Sequence, residues 1–174
     1  MSDRPRANSI SFKGIEENYG TAKAIVKSAG DLVLVQRGVI RAAVIRCPSG
    51  CGDDIVINLD SRTGPAWRLY KNRKGITLYP SVWRDTGCGS HFIVWHNKIF
   101  WCDYEYLEDE EEIGLDDRVA QTLTRTLTHY CDLAEDLGET PWSVMLSCRR
   151  LKKRGLAMEG AGKMKGAFAL ADAT

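Results

Sequence analysis

Two short glycine-rich stretches carry residues able to hold a metal ion. Residues 47–52 read CPSGCG, and residues 86–91 read TGCGSH. Structural zinc sites are usually built from cysteine or histidine ligands that two tight turns deliver. Glycines in such turns let backbone N–H groups approach the thiolates and stabilise their negative charge. We therefore predict that Cys47, Cys51 and Cys88 bind one zinc ion with a structural role.

The fourth ligand has two candidates. His91 follows Cys88 at Cys-x-x-His spacing, and Cys102 is expected opposite His91 in a hairpin, which would give a four-cysteine site. Ser49, inside the first turn, is a poor zinc ligand. The alternative is that these cysteines are buried free thiols, which are common in protein cores. That alternative is the preferred interpretation only for the two cysteines on predicted helices, Cys131 and Cys148.

A thiolate-rich zinc ion is a weak Lewis acid, so the reactive group is expected beside the metal and not on it. Three nucleophiles are near in sequence, namely Ser81, Ser90 and Cys102, and His91 is the candidate base. Ser90 and His91 are adjacent, so their side chains diverge on a strand. Ser81 lies on the preceding strand and can reach His91 across the sheet, as a nucleophile–base pair requires.

Two further parts of such a reaction stay open in the sequence. An acid that orients the histidine could be any of Asp54, Asp85 and Asp103. The N–H groups of residues 87–89 could donate to a developing oxyanion. A structural role for His91 is the alternative to catalysis, and His96 and His129 are interpreted as bystanders.

The elements around these residues indicate an α+β fold, with a small antiparallel β domain behind an N-terminal helix. The helix is predicted from Tyr19 to Ser28. Residues 91–95 and 98–102 form the clearest unit, a hairpin whose turn is His96-Asn97. Pro80 interrupts another strand and suits an edge or a bulge. The remaining strands are predicted at residues 31–36, 39–46, 55–59, 67–70 and 76–83.

Charge divides the chain although the formal net charge is only +1. Nine acidic residues and no base lie between residues 103 and 117, while seven bases and one acid lie between 149 and 165. We place a zinc-binding β domain at 1–107, an acidic linker at 108–115 and a helical domain at 116–174. In the last, helices are predicted at 116–130, 131–137 (as a continuation or a second helix) and 141–154, and short strands at 156–159 and 167–170.

The order of elements after residue 116 resembles a winged helix-turn-helix module. Residues 132–138 read DLAEDLG as the positioning helix, and RRLKKRGL leads from the second helix into a hairpin wing. Such a module implies binding to DNA phosphates or to a partner protein. The candidate contacts are Arg149, Arg150, Lys153, Lys163 and Lys165.

The first domain resembles a small zinc-binding family encoded in bacterial operons with ubiquitin-like proteins and their activating and conjugating enzymes. The resemblance covers residues 30–102 and rests on CPSGCG at 47–52, WRL at 67–69, TLYPSVW at 77–83, CGSHF at 88–92 and WC at 101–102. It implies a serine-type peptidase that trims a ubiquitin-like protein or removes it from targets, like a deubiquitinase. It assigns Cys47, Cys51 and Cys88 to the metal, and Ser81 and His91 to the reaction. The family often has a cysteine where this chain has Ser49.

The expected function is therefore hydrolysis of a ubiquitin-like tail by Ser81 and His91 beside a structural zinc. The alternatives are a non-catalytic zinc-binding adaptor and a DNA-binding regulator. The 174 residues contain no apolar run of the ~20 residues that cross a bilayer, and no secretory signal is recognisable. We expect a cytoplasmic protein with no membrane partner.

Overall fold

The computed structural model describes residues 6–102 and 114–171. The chain divides into two compact units, residues 1–104 and residues 105–174. Most of the predicted acidic linker, and Asp103, lie outside the described residues. Among the described residues, no helix is both long and apolar enough to cross a membrane.

The first unit contains one helix and eight strands in the part that the structure describes. The helix α1 spans Tyr19–Ile25, with Asn18 as its N-cap. The strands are β1 (Ser11–Glu16), β2 (Asp31–Arg37), β3 (Val39–Arg46), β4 (Asp54–Asn58), β5 (Arg68–Asn72), β6 (Gly75–Trp83), β7 (His91–Trp95) and β8 (Lys98–Trp101).

These strands form two four-stranded sheets, ordered β1-β2-β3-β4 and β5-β6-β7-β8. All pairings are antiparallel except β1 with β2, which is parallel. Strand β1 precedes the helix and was not predicted. Residues 11–16 alternate weakly and carry Gly14, at which the β1–β2 register shifts, so they lack the period that marks a strand.

Apolar side chains of both sheets share one buried core. Leu32, Leu34 and Ile45 of the first sheet belong to it, as do Leu78 and Phe92 of the second. Helix α1 buries Ala22 and the adjoining Val26 against the opposite face of the first sheet, with Val33, Val35, Ala42 and Val44. Leu78, Val82 and Phe92 therefore lie on the core face of the second sheet.

The predicted hairpin is confirmed in its register. Ile93 pairs with Phe100 and Trp95 with Lys98. The turn residues His96 and Asn97 have φ values of 51° and 64°, as a two-residue type I′ turn requires.

The second unit contains three helices and a three-stranded sheet in its described part. The helices are α2 (Leu115–Thr122), α3 (Tyr130–Leu137) and α4 (Pro141–Lys153), and the strands are β9 (Thr128–His129), β10 (Ala157–Glu159) and β11 (Ala167–Leu170). The sheet order is β10-β11-β9, all antiparallel. Leu115, Val119, Leu133, Val144, Leu151 and Phe168 lie in its core.

The predicted helix over residues 116–130 was wrong in its extent. Helix α2 ends at Thr122, and the chain becomes extended at Leu123. Thr124 then uses its hydroxyl to accept a hydrogen bond from the Thr126 N–H, at 3.2 Å. Threonine side chains compete in this way with helical hydrogen bonds. This local side-chain bonding ends the helix, although the apolar spacing had predicted that it would continue. Residues 131–137 accordingly belong to a separate helix.

Candidate active site and metal centre

Ser81 and His91 are hydrogen-bonded to each other on neighbouring strands. Ser81 lies on β6 and His91 opens β7, and the distance from Ser81 Oγ to His91 Nε2 is 3.0 Å. Both side chains are half-buried. A separation of 2.6–3.2 Å is the reach that a nucleophile and its general base need. The structure thus brings together the two residues that the sequence proposed for catalysis.

A double bulge in β6 sets the register of this pair. Leu78 pairs with Val94, whereas Val82 pairs with Phe92, so three residues of β6 oppose a single residue of β7. Beyond the bulge, Trp83 lies directly opposite His91. Ser81 is two residues before Trp83 on the same face, which makes it the diagonal cross-strand neighbour of the histidine. The predicted interruption at Pro80 is a bulge towards β7. The β5–β6 ladder ends at the pair Arg68–Tyr79, so β5 leaves the other side of β6 unpaired from Pro80 onward.

Two tryptophans border the pair. The indole N–H of Trp67 donates to the Ser81 carbonyl oxygen at 3.3 Å, which ties the bulge to the segment before β5. The Trp83 ring lies 6.1 Å from the His91 ring between centroids and is 68% exposed. A large apolar ring that is exposed beside a nucleophile offers a surface to a substrate.

The three predicted metal ligands form a cluster. Cys47 follows β3, and its carbonyl accepts from Gly50 N–H at 3.1 Å to close the first turn. Gly50 has a φ of 77°, a conformation that glycine adopts without strain. The sulfurs of Cys47, Cys51 and Cys88 all lie within 4.8 Å of one another.

The spacing of the sulfurs fits a tetrahedral ion. The Cys47 and Cys88 sulfurs are 3.6 Å apart, and two ligands at a Zn–S distance of about 2.3 Å would be about 3.7 Å apart in a tetrahedron. Cys47 is fully buried, while Cys51 and Cys88 are exposed. Three thiols at this spacing could bind a metal, and thiol sulfur is a donor that selects zinc over hard cations.

Hydroxyl groups surround the cluster. Ser49 Oγ lies 3.1 Å from the Cys47 sulfur, and Ser90 Oγ lies 3.3 Å from the Cys88 sulfur. Burial alone would raise the pKa of Cys88, but hydrogen bonds from Ser49 and Ser90 outweigh it and lower that pKa to about 6. Burial raises the pKa of Cys51.

Arg84 supplies the positive charge of the cluster. Its Nη1 atom lies 3.5 Å from the Cys51 sulfur, 3.6 Å from the Cys88 sulfur and 3.1 Å from Asp53 Oδ2. Burial lowers the pKa of Arg84, but the contacts with Asp53 and the cysteines outweigh it and raise that pKa, so the side chain stays cationic. Sequence reasoning missed Arg84, although its place four residues before Cys88 was a usable signal.

The alternative ligands and nucleophiles take other positions. Neither His91 nor Cys102 belongs to a cluster of potential metal ligands in residues 6–102. Ser90 Oγ contacts the sulfurs of Cys47 and Cys88, so it belongs to the cysteine cluster. Cys102 is exposed, and its backbone N–H donates to the His91 carbonyl at 3.0 Å. The His91 ring therefore lies outside the cysteine cluster and is hydrogen-bonded to Ser81.

An orienting acid is not found in the described part of the chain. Asp54 forms an ion pair with Arg46 at 3.1 Å, and no hydrogen bond joins Asp85 to the His91 ring. Asp103 lies outside the described residues. Within residues 6–102, the His91 ring is hydrogen-bonded through Nε2 to Ser81.

The five basic residues predicted to contact DNA or a partner differ in their burial and in their ion pairing. Arg150 is engaged by Asp116, with its Nη2 atom 2.7 Å from Oδ1. Burial alone would raise the pKa of Asp116, but hydrogen bonds from Arg150 and Ser147 hold that pKa below its usual range. The other four predicted contacts are exposed, namely Arg149, Lys153, Lys163 and Lys165.

The comparisons with known proteins fall on the first unit. Residues 20–102 match the model of the BubE family, described as a bacterial ubiquitination-like system serine protease. The match supports a protease role. It contains all five predicted site residues of this unit and agrees with the resemblance to proteins of ubiquitin-like pathways. No curated protein and no solved structure matched the chain. The second unit lies outside the matched segment.

Proposed function

We propose that this chain is a serine-type peptidase that processes a bacterial ubiquitin-like protein, or removes it from targets, with Ser81 as nucleophile and His91 as base. One observation carries the proposal: the 3.0 Å contact between Ser81 Oγ and His91 Nε2 lies inside the segment that matches a serine protease family. The partners would be the ubiquitin-like protein and its activating and conjugating enzymes.

The reaction follows from the direction of the hydrogen bond. With the ring proton on Nδ1, His91 Nε2 accepts the Ser81 proton while Oγ attacks the scissile carbonyl carbon. The imidazolium then protonates the leaving amine, and an acyl-serine remains. Water, deprotonated by the same Nε2 atom, attacks the ester, and the proton returns to Ser81 as the acyl group leaves.

Zinc would serve the fold of this site. Residues 84–90 connect the strands of Ser81 and His91 and carry Cys88, so a metal shared with Cys47 and Cys51 would fasten that connection to the turn after β3. The ion supplies a cross-link in this proposal and no step of the reaction. The separation of His91 from the cysteine cluster supports a metal that is structural.

An extended tail has a strand edge to bind beside the nucleophile. The β5–β6 ladder begins at the pair Arg68–Tyr79, so residues 81–83 extend beyond β5. A peptide that adds to such an edge gains main-chain hydrogen bonds and places alternate side chains on each face. The exposed Trp83 ring would contact the residues of the tail on the face of Ser81.

The test uses the full chain and its operon's ubiquitin-like protein extended at the C-terminus. We expect cleavage at the end of the mature tail, and labelling of Ser81 by a fluorophosphonate, which phosphonylates activated serines. Ser81→Ala and His91→Gln should abolish both signals, whereas Cys102→Ser should retain them. Cleavage that persists in Ser81→Ala but disappears in Cys102→Ser would replace the serine mechanism with a thiol one.

The second unit supports a second candidate, a winged helix-turn-helix that contacts nucleic acid. Its order of helix, strand, two helices and a terminal strand pair supports this candidate. Exposed bases at the end of α4 and in the loop before β11 would contact phosphates. Gel-shift binding across a salt series tests this: a steep loss of affinity with salt supports it. Absence of binding at low salt favours a protein-docking unit in an adaptor.

A further inference from the structure

The main chain of Trp83 faces the side of β6 that β5 leaves uncovered. Arg84, the next residue, donates its N–H to the Ser90 carbonyl at 2.9 Å, across the ladder to β7. In an antiparallel ladder, such hydrogen-bonded pairs alternate with pairs whose N–H and C=O groups point outward. Trp83, which pairs with His91, therefore directs both of its main-chain groups away from β7. The β5–β6 ladder does not extend this far along β6.

The carbonyl of Ser81 points to the same side but is already hydrogen-bonded. Ser81 precedes Trp83 by two residues, so their main-chain groups have the same direction. The Trp67 indole N–H donates to the Ser81 carbonyl at 3.3 Å. Among the residues that the structure describes, neither the N–H nor the C=O of Trp83 has a hydrogen-bond partner. Trp83 therefore offers both a donor and an acceptor, whereas the Ser81 carbonyl is occupied.

Hydrogen bonds to β4 fix the indole that covers the Ser81 carbonyl. The Trp67 N–H donates to the Asn58 carbonyl at 2.8 Å, and the Asn58 side-chain amide donates to the Pro65 carbonyl at 3.0 Å. The Trp67 ring also packs against the core that the two sheets share. The indole therefore approaches Ser81 from the core side, whereas the Ser81 hydroxyl lies on the opposite face with His91.

The short length of this edge decides what can bind there. A strand of a second copy of the chain would need a row of free main-chain groups. Here the row stops at the occupied Ser81 carbonyl in one direction, and β6 itself ends at Trp83 in the other. A single extended peptide needs only a short main-chain bridge beside the nucleophile. The edge therefore suits the tail of a substrate.

We propose that the Trp83 main chain is the substrate-binding edge of the peptidase, and that Trp67 sets its length. One amide N–H of the tail donates to the Trp83 carbonyl, and one carbonyl of the tail accepts from the Trp83 N–H. The Trp67 indole prevents a further bond at the Ser81 carbonyl, so the tail leaves the sheet there, toward Ser81 Oγ. Trp67 is thus a positioning residue. The inference deepens the proposed function and rests on it.

Replacing single amides of the tail by esters tests the edge without altering its residues. An ester removes one N–H donor and keeps the side chains. The probe is a fluorescent peptide that contains the tail and C-terminal extension of the operon's ubiquitin-like protein, bound to full-length Ser81→Ala so that it stays uncut. Fluorescence anisotropy should show an affinity loss of about 10-fold for the ester at one position only. A peptide that does not bind, or that binds with no sensitive position, would overturn the proposal.

The same scan tests the role of Trp67. Trp67→Phe removes the indole N–H and frees the Ser81 carbonyl, so a second sensitive position should appear two residues from the first. Trp101→Phe, a matched change on β8, should keep the single sensitive position. Two sensitive positions while Trp67 is present, or one in Trp67→Phe, would overturn the assignment of the edge length to this indole.

A pair of variants at Trp83 separates its main chain from its ring. Trp83→Ala and Trp83→Pro both remove the ring, but only proline removes the N–H, which the ladder to β7 does not use. The value of kcat/KM for the extended ubiquitin-like protein should be about 10-fold lower in Trp83→Pro than in Trp83→Ala. Fluorophosphonate labelling of Ser81, which needs no tail, should proceed equally in both.

The outcomes distinguish this inference from the proposed function. Equal cleavage by the two Trp83 variants, with Ser81 still labelled, would overturn the edge and leave the peptidase in place. A wild type that is neither labelled nor able to cleave, but whose tail binding still shows one sensitive position, would overturn the serine mechanism and support the edge as a binding site.

Discussion

Ser81 of the first unit and Ser147 of the second are each hydrogen-bonded to a titratable side chain, and their surroundings differ. Ser81 contacts His91, both groups are half-buried, and an exposed indole adjoins them. Ser147 is fully buried and donates to Asp116 at 2.6 Å. Asp116 is also contacted by Arg150 at 2.7 Å and by Arg154 at 3.5 Å.

These surroundings suit Ser81 to reaction with a substrate and Ser147 to a structural role. The Asp116 carboxylate accepts from a hydroxyl and is paired with two guanidinium groups, which compensate its buried charge. His91 has a single side-chain partner among the described residues and lies where a substrate can reach it. A serine that is hydrogen-bonded to a charged or basic group therefore indicates catalysis only when a substrate can reach the pair and the partner group can still accept a proton.

The largest expected effect is the loss of activity from the first pair. Ser81→Ala should lower kcat/KM for the extended ubiquitin-like protein by about 10³-fold or more, since it removes the proposed nucleophile. Ser147→Ala should leave kcat/KM within about twofold. Steady-state cleavage of both variants measures this, with circular dichroism as the check of folding. Equal losses of kcat/KM in the two variants would contradict the different roles assigned to the two serines.

Metal removal should act on the first unit alone. Zinc at about 1,000 times its Kd stabilises the folded state by about 4 kcal/mol, and a chelator should remove that stabilisation. Hydrogen exchange should then accelerate in β3 and β7 and stay unchanged in α4. Cys47→Ser should exchange fast with or without chelator, whereas Cys131→Ala, a cysteine change in the other unit, should keep the chelator response. A uniform response of both units would contradict a local metal centre.

Breaking the second pair should destabilise the second unit. Asp116→Ala removes the carboxylate that accepts from Ser147 and Arg150 and should cost about 3 kcal/mol, since removing one partner of a buried ion pair is strongly destabilising. Hydrogen exchange of α2 and α4 amides would report the loss, and cleavage activity should persist. Arg118→Ala, which removes an exposed pair with Glu139, should cost less than about 1 kcal/mol.

The smallest effect is a pH dependence of the second unit. The pKa of Asp116 is lowered in the folded state, so its contribution to stability is fully present above its unfolded pKa of about 3.9. That contribution is lost as pH falls through the lower folded value. Denaturation of the second unit followed from pH 6 to pH 2 should show this loss, and Asp116→Asn should flatten the curve. An unchanged curve in that variant would assign the acid sensitivity to other carboxylates.

The sequence was informative where local chemistry dictates structure. Cysteines beside glycines predicted both turns of the cysteine cluster, and His96-Asn97 predicted a turn that needs positive φ at two positions. The hairpin register then followed, because strand pairing is fixed by the turn. The contact between Ser81 and His91 was anticipated from strand adjacency and a family resemblance together, since adjacency alone leaves the diagonal register undetermined.

Other features depend on contacts between segments that no local pattern encodes. The parallel partner of β2 comes from residues 11–16, whose side chains alternate too weakly to predict a strand. The contacts of Ser90 Oγ with the sulfurs of Cys47 and Cys88 are known only once the two turns have been placed together. Arg84 became significant for the same reason. The acid of a possible triad stays a prediction, because Asp103 lies outside the described residues.

The double bulge in β6 makes the position of Ser81 sensitive to the number of residues in this strand. Removing one residue between Leu78 and Val82 would leave one extra residue opposite Ile93, as in an ordinary single bulge, so the flanking pairs would persist while the Ser81 side chain is re-aimed. Removing Tyr79 and Pro80 together would leave Ser81 opposite Ile93 and the pairs on both sides intact. Homologous proteins that are two residues shorter here should therefore keep the serine on the side of the histidine, whereas those that are one residue shorter should place it differently.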